Sequence, residues 1–137
     1  YRRIGSLLTD GSSNIRPFTA IETGNEISVS YPSVIISWDN IAAPAVATDL
    51  YLNVPTGIML YTEVVIKLNS TTEEHVIFGD KNTSLSSEVA RCDSTNISNV
   101  VSIRTDLQGN IQHYVVGTGI TSEYKINTRQ YIDARND

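Results

Sequence analysis

Cysteine is almost absent: Cys92 stands alone in 137 residues. A single thiol excludes an intrachain disulfide framework and supplies no metal-ligand cluster. Histidine is nearly as scarce, and His75 and His113 form neither an H-E-x-x-H pattern nor a zinc spacing. Charged residues make up only 18% of the chain, lysine occurs three times, and the formal net charge is -5. That balance offers no basic footprint for a phosphate backbone, so nucleic acid is not an expected partner. No apolar run reaches the length of a membrane-spanning helix, and no basic head precedes an apolar stretch and cleavage site. Membrane insertion is therefore not expected.

What remains is a chain 40% hydrophobic, with much of its polarity carried by Ser, Thr and Asn. The hydrophobic fraction supports a globular core. The small polar residues suit turns and short strands better than helical faces. The length predicts one domain over residues 1–137. An opening on Tyr1 rather than Met leads us to expect a part of a larger protein.

Strand signals recur along the chain. Asp10-Gly11-Ser12-Ser13-Asn14 reads as a turn, followed by an extended Ile15-Arg16-Pro17-Phe18 and a second turn at Thr23-Gly24-Asn25. Ile27 to Tyr31 and Val34 to Trp38 are two short strand candidates split by Pro32-Ser33. Val46, Thr48, Leu50, Leu52 and Val54 share one strand face with Ala47, Asp49, Tyr51 and Asn53 opposite, and Ile58, Leu60, Thr62, Val64, Ile66 and Leu68 share another with Glu63 and Lys67 on its far side. A period of two is what half-buried strands require, and we expect these two to pair antiparallel across Pro55-Thr56-Gly57. Leu50, Leu52, Leu60, Val64 and Ile66 should face the core.

His75 to Phe78 reads as another strand, whereas residues 81–99 read as a long surface loop, with a brief helix an alternative at 85–90. Val101, Ile103, Thr105 and Leu107 share a face that continues through Ile111, His113 and Val115, which predicts a hairpin turning at Gln108-Gly109-Asn110. Tyr124 to Thr128 and Tyr131 to Asp133 close the series. Many short strands punctuated by turns predict an all-β fold, a β-sandwich with jelly-roll-like connections.

Nothing in the pattern calls for catalysis. Both histidines sit in apolar strand contexts, where a hydrogen-bonded structural role is the plainer expectation. No G-x-S-x-G elbow occurs, and the carboxylates show no pairing beyond chance. The Asp10 turn lacks the ligand ladder and distal glutamate of a calcium loop, so it reads as a turn. We expect no enzyme activity, no catalytic residue, no cofactor and no metal. N-x-S/T triplets at Asn69, Asn82 and Asn96 arise readily in a chain of this composition.

The aromatic set is skewed, with seven tyrosines against two phenylalanines and one tryptophan. Tyrosine joins apolar area to a polar tip, which suits interfaces as well as strands. Tyr51 and Tyr61 fall opposite the apolar faces of their strands, and Tyr114 with Arg104 falls on the outer face of the expected hairpin. With the basic pair Arg2-Arg3, these form the candidate interface: Arg2, Arg3, Tyr51, Tyr61, Arg104 and Tyr114.

The opening Tyr1-Arg2-Arg3-Ile4-Gly5-Ser6-Leu7-Leu8-Thr9-Asp10-Gly11-Ser12-Ser13-Asn14-Ile15-Arg16-Pro17-Phe18 resembles a segment of bacteriophage proteins of the tail or fibre type, where it precedes a β-rich region. Asn53 to Ile58, Ile103 to Ile111 and Tyr131 to Arg135 resemble later phrases of the same family. Two positions depart from it: Ser13 stands where the pattern has glycine, and Gln130-Tyr131 replaces a Gly-Trp pair. The resemblance transfers no site residue. It implies a virion structural component, extracellular, acting in assembly or host attachment, with other virion proteins and host surface glycan as partners. It also implies a homo-oligomer, a trimer being frequent among fibre and spike components. The alternative from another class is a carbohydrate-binding module without catalytic activity.

Overall fold

A computed structural model of the chain describes residues 7–39, 44, 46–69, 75–81, 90–93, 97–116 and 123–134. These residues form nine strands: β1 Thr19–Thr23, β2 Glu26–Asp39, β3 Thr48–Tyr51, β4 Tyr61–Asn69, β5 His75–Gly79, β6 Ala90–Asp93, β7 Ile97–Arg104, β8 Asn110–Val116 and β9 Glu123–Ala134. The fold is all-β. Two antiparallel sheets are present, one of five strands in the order β1-β2-β9-β4-β7 and one of four in the order β3-β8-β5-β6.

The pairings are nested in sequence. β5 pairs with β6, β4 with β7, β3 with β8, and β2 with β9. Two further ladders, β4 with β9 and β5 with β8, join these nested pairs side by side. β1 adds an edge through a tight hairpin in which Thr23 opposes Glu26. Gly24 there adopts a φ of 59° while Asn25 stays in the ordinary region, the sign pattern of a type II′ turn, which matches the twist of its strands.

Alternation places the apolar set inside. Val64, Ile66 and Leu68 of β4 are buried while Glu63 and Lys67 are not, and Leu50, Leu52 and Leu60 are buried as expected. One hydrophobic cluster draws on both sheets, with Val29, Ile103 and Ile126 from the larger and Leu50, Phe78 and Ile111 from the smaller. His113 lies within it, its Nδ1 2.7 Å from the Tyr124 hydroxyl and its ring 4.8 Å edge-on from Trp38. It is the hydrogen-bonded core histidine anticipated. The His75 side chain lies outside the described set.

Several expected pairings are corrected. The strands around Leu50 and Ile66 do not pair with each other: β3 lies against β8, and β4 runs between β9 and β7. Residues 52–60 cross from one sheet to the other, and their apolar side chains preserve the alternation because Leu52, Val54 and Leu60 still point into the core. Val46, counted on the same face, is 72% exposed.

The expected C-terminal hairpin is also a crossing. β7 and β8 belong to different sheets, and the corner between them is tied to the first crossing by Thr105 N–H donating to Leu60 O (2.9 Å) and Leu52 N–H donating to Gly109 O (3.0 Å). Leu107 points away from the core, at 50% exposure. Within residues 81–99, expected as loop, β6 and the start of β7 are strands. The helix alternative at 85–90 falls largely outside the described residues, and Ala90 opens β6.

Two strand candidates on each side of a break prove to be one strand each. β2 runs through Pro32-Ser33 with a register shift between Ser30 and Ile35. The ladder is interrupted there, where the proline has no N–H to give to it. β9 runs through Arg129 as an extra residue, because Glu63 opposes Gln130 while Val64 opposes Thr128. That single insertion flips the pleat, so Tyr124, Ile126 and Thr128 face inward before it and Tyr131 and Asp133 after it.

Candidate functional site

The five-stranded sheet buries one face and exposes the other, and register turns the exposed face into ordered rows. Ile21, Ser28, Ile132, Tyr61 and Arg104 are successive cross-strand partners over all five strands. Ile36, Asn127, Val65 and Val100 form a second such row over four. Ile21 is 61% exposed, Ile36 59%, Val100 55% and Tyr61 48%. Scattered apolar residues on a surface are ordinary; contiguous rows on one flat face are less so.

Charges and amides separate and border these rows. Between them, Gln130 Nε2 donates to Glu63 Oε2 at 2.9 Å, and Arg129 lies 3.4 Å from the other oxygen of that carboxylate. Beyond them, Lys67 and Lys125 face each other across β4 and β9. Glu123 lies between these cations, 2.9 Å from Lys67 and 3.5 Å from Lys125, and hydrogen bonding to Lys67 holds its carboxyl below the ordinary range. Lys125 also reaches Asp39 at 3.7 Å. The face thus offers apolar stripes with both signs of charge alongside.

The six candidate residues divide between two surfaces. Tyr61 and Arg104 are brought together as direct cross-strand neighbours in the larger sheet. Tyr51 and Tyr114 lie on β3 and β8 of the smaller one, and Arg2 and Arg3 fall outside the described residues. Tyr51 has local work as well. Its hydroxyl donates to Val54 O at 2.8 Å, and its ring edge lies so close to Gly109 that an added Cβ would stand 2.8 Å from Cε2. A second cluster near it joins two carboxylates to one cation: Lys81 reaches Asp49 at 2.5 Å and Asp106 at 3.6 Å, while Gln112 Nε2 donates to Asp49 at 3.1 Å.

Comparison with protein-family models, curated proteins and solved structures finds no match to this chain.

Sequence reasoning missed Ile21, Ile36, Val100 and Ile132. Alternation signals which residues of one strand lie opposite its core face, and it picked out Tyr61 in this way. It carries nothing about which strands are neighbours, and the rows exist only once β9 is inserted between β2 and β4. Among the described residues, no group of three or more His, Cys, Asp or Glu side chains is placed to hold a metal ion.

Proposed function

We propose that this chain is a non-catalytic structural domain of a bacteriophage virion, of the tail or fibre type, that assembles with copies of itself through the exposed face of its five-stranded sheet. The observation that carries the assembly surface is the unbroken row Ile21–Ser28–Ile132–Tyr61–Arg104 beside the Ile36–Val100 row. The occupant is a second copy. The face holds Glu63, Glu123 and Asp39 together with Arg129, Lys67 and Lys125, so an identical face can return opposite charge to each stripe while covering its apolar rows. Tyrosine and arginine at its margin are the side chains that interfaces favour.

The architecture we infer is a jelly-roll sandwich. Its support is the nesting of β2 with β9, β3 with β8, β4 with β7 and β5 with β6, which is the connectivity of one long hairpin rolled into two sheets. The shared hydrophobic cluster supports face-to-face packing of those sheets. Jelly rolls serve in viral capsids, lectins and cupins, so the fold agrees with a virion role by analogy and does not single it out. The virion, its extracellular setting and the preference for three copies rest on the resemblance of the opening and later phrases.

Amide hydrogen exchange at two protein concentrations tests the surface. On raising concentration a hundredfold, protection should grow in peptides covering residues 61–67 and 98–104 and stay constant at residues 48–51. Equal protection at both concentrations, or growth confined to β3 and β8, would reject this face.

A further inference from the structure

Among the described residues, β1, β3, β6 and β7 each have a ladder on one side only. The first three of these edges are short, at five, four and four residues, whereas β7 runs for eight. Its register with β4 is unbroken from Tyr61↔Arg104 to Leu68↔Ile97. Proteins blunt open edges with lysine, proline, bulges or brevity, because bare N–H and C=O groups are a template for another strand. Ile97-Ser98-Asn99-Val100-Val101-Ser102-Ile103-Arg104 uses none of these.

The hydrogen-bond phase of this edge is set at its corner. Thr105 N–H donates to Leu60 O at 2.9 Å, which makes those two residues a hydrogen-bonded pair. Such pairs alternate along an antiparallel ladder, so Ile103, Val101, Asn99 and Ile97 turn their backbone groups to β4. Arg104, Ser102, Val100 and Ser98 turn theirs outward, where no described residue meets them. Each brings one donor and one acceptor to the open edge.

The side chains beside the edge define the strand that fits it. Arg104 ends the row that starts at Ile21 and forms no ion pair among the described residues. Val100 ends the row through Ile36, Asn127 and Val65, and is 55% exposed. Opposite charges and β-branched pairs attract when they face each other across neighbouring strands. We propose that the β7 edge takes up an extended segment of a partner protein as a further antiparallel strand, acidic opposite Arg104 and apolar opposite Val100. The outward groups of Ser98, Val100, Ser102 and Arg104 supply its ladder, and alternate side chains supply its selectivity. An added strand widens the sheet and leaves the outer face open, so this inference stands apart from the assembly reading.

The probe is the capped peptide Glu-Val-Thr-Val-Val-Thr-Thr, whose glutamate falls opposite Arg104 and whose fifth residue falls opposite Val100. It is titrated into the isotope-labelled chain at one fixed protein concentration, with binding and amide exchange read by NMR. Binding should saturate with a Kd of about 1 mM or tighter. Exchange should slow at Val100 and Ser102 and stay unchanged at Val101 and Ile103, whose N–H groups already serve β4. The peptide N-methylated at its third and fifth residues, which removes the N–H groups that would face β7, should not bind. Replacing its glutamate by lysine should weaken binding about threefold, and Arg104→Glu should reverse that preference. Ser102→Pro removes an outward N–H at an exposed position and should abolish binding with the β4 ladder intact. No saturable binding, equal slowing at all four amides, undiminished binding of the N-methylated peptide, or a charge preference that Arg104→Glu leaves unchanged would overturn the proposal.

Discussion

The imidazole of His113 is enclosed by Trp38, Phe78 and Tyr124, and burial holds its pKa down to about 4. In the unfolded chain it returns to about 6.5. Between those values the unfolded chain binds the proton more readily. Stability is therefore complete above about pH 6.5 and falls as pH drops towards 4, by roughly 3 kcal/mol in all. Urea unfolding at pH 7 and pH 4.5 should show wild type losing about 2–3 kcal/mol more than His113→Phe. Parallel losses in the two proteins would contradict this account of the buried ring. A backbone test sits at the turns. Ser13 holds a φ of 64°, which an L side chain resists, and Gly109 holds 78° beneath the Tyr51 ring. Ser13→Gly should raise stability by up to about 1 kcal/mol, and Gly109→Ala should lower it by at least about 1 kcal/mol. Thermal unfolding of both reads the opposite signs; a gain in Gly109→Ala would refute the close approach.

At the scale of elements, Leu52 shows both what a sequence pattern carries and where it stops. Its fully buried side chain was legible from alternation with Tyr51 and Asn53, and Leu52→Ala should cost about 2–5 kcal/mol in denaturant unfolding. A loss below about half a kcal/mol would deny that packing. Yet Leu52 lies in a crossing between sheets rather than in a strand, because alternation records which side is apolar and not which backbone is paired. Thr105 to Ile111 misled for the same reason. Gln108-Gly109-Asn110 has turn chemistry, and Asp106 Oδ1 does cap it by accepting the N–H groups of Gln108 and Asn110. The chain nevertheless leaves that corner into the other sheet. The register breaks at Pro32 and Arg129 both read in the sequence as gaps between two separate strand candidates, the first because proline cannot join a ladder and the second because one inserted residue inverts the period. Of the candidate interface, Tyr61 and Arg104 could each be placed on an outer face from sequence, but their adjacency required the β4–β7 register.

The whole molecule is built from pairings that span most of its length, with Glu26 opposite Ala134 at the outermost level and Phe78 opposite Ala90 at the innermost. Such nesting leaves β9 with ladders on both sides and gives the five-stranded sheet a continuous outer face. That face, with Ile21, Ile36, Tyr61 and Val100 open to solvent, is where the molecule has least reason to remain alone. Tyr61→Asp combined with Val100→Asp places two like charges on it without touching the core. The decisive measurement is the mass in solution by light scattering coupled to size exclusion, across micromolar concentrations, for the chain and for this double variant. The account predicts an integral multiple of 15.1 kDa for the chain, three by the family resemblance, and 15.1 kDa for the variant. A stable dimer would replace the trimer and keep the surface. A mass of 15.1 kDa for the unaltered chain at every concentration, or an assembly that the two aspartates leave intact, would contradict assembly through this face.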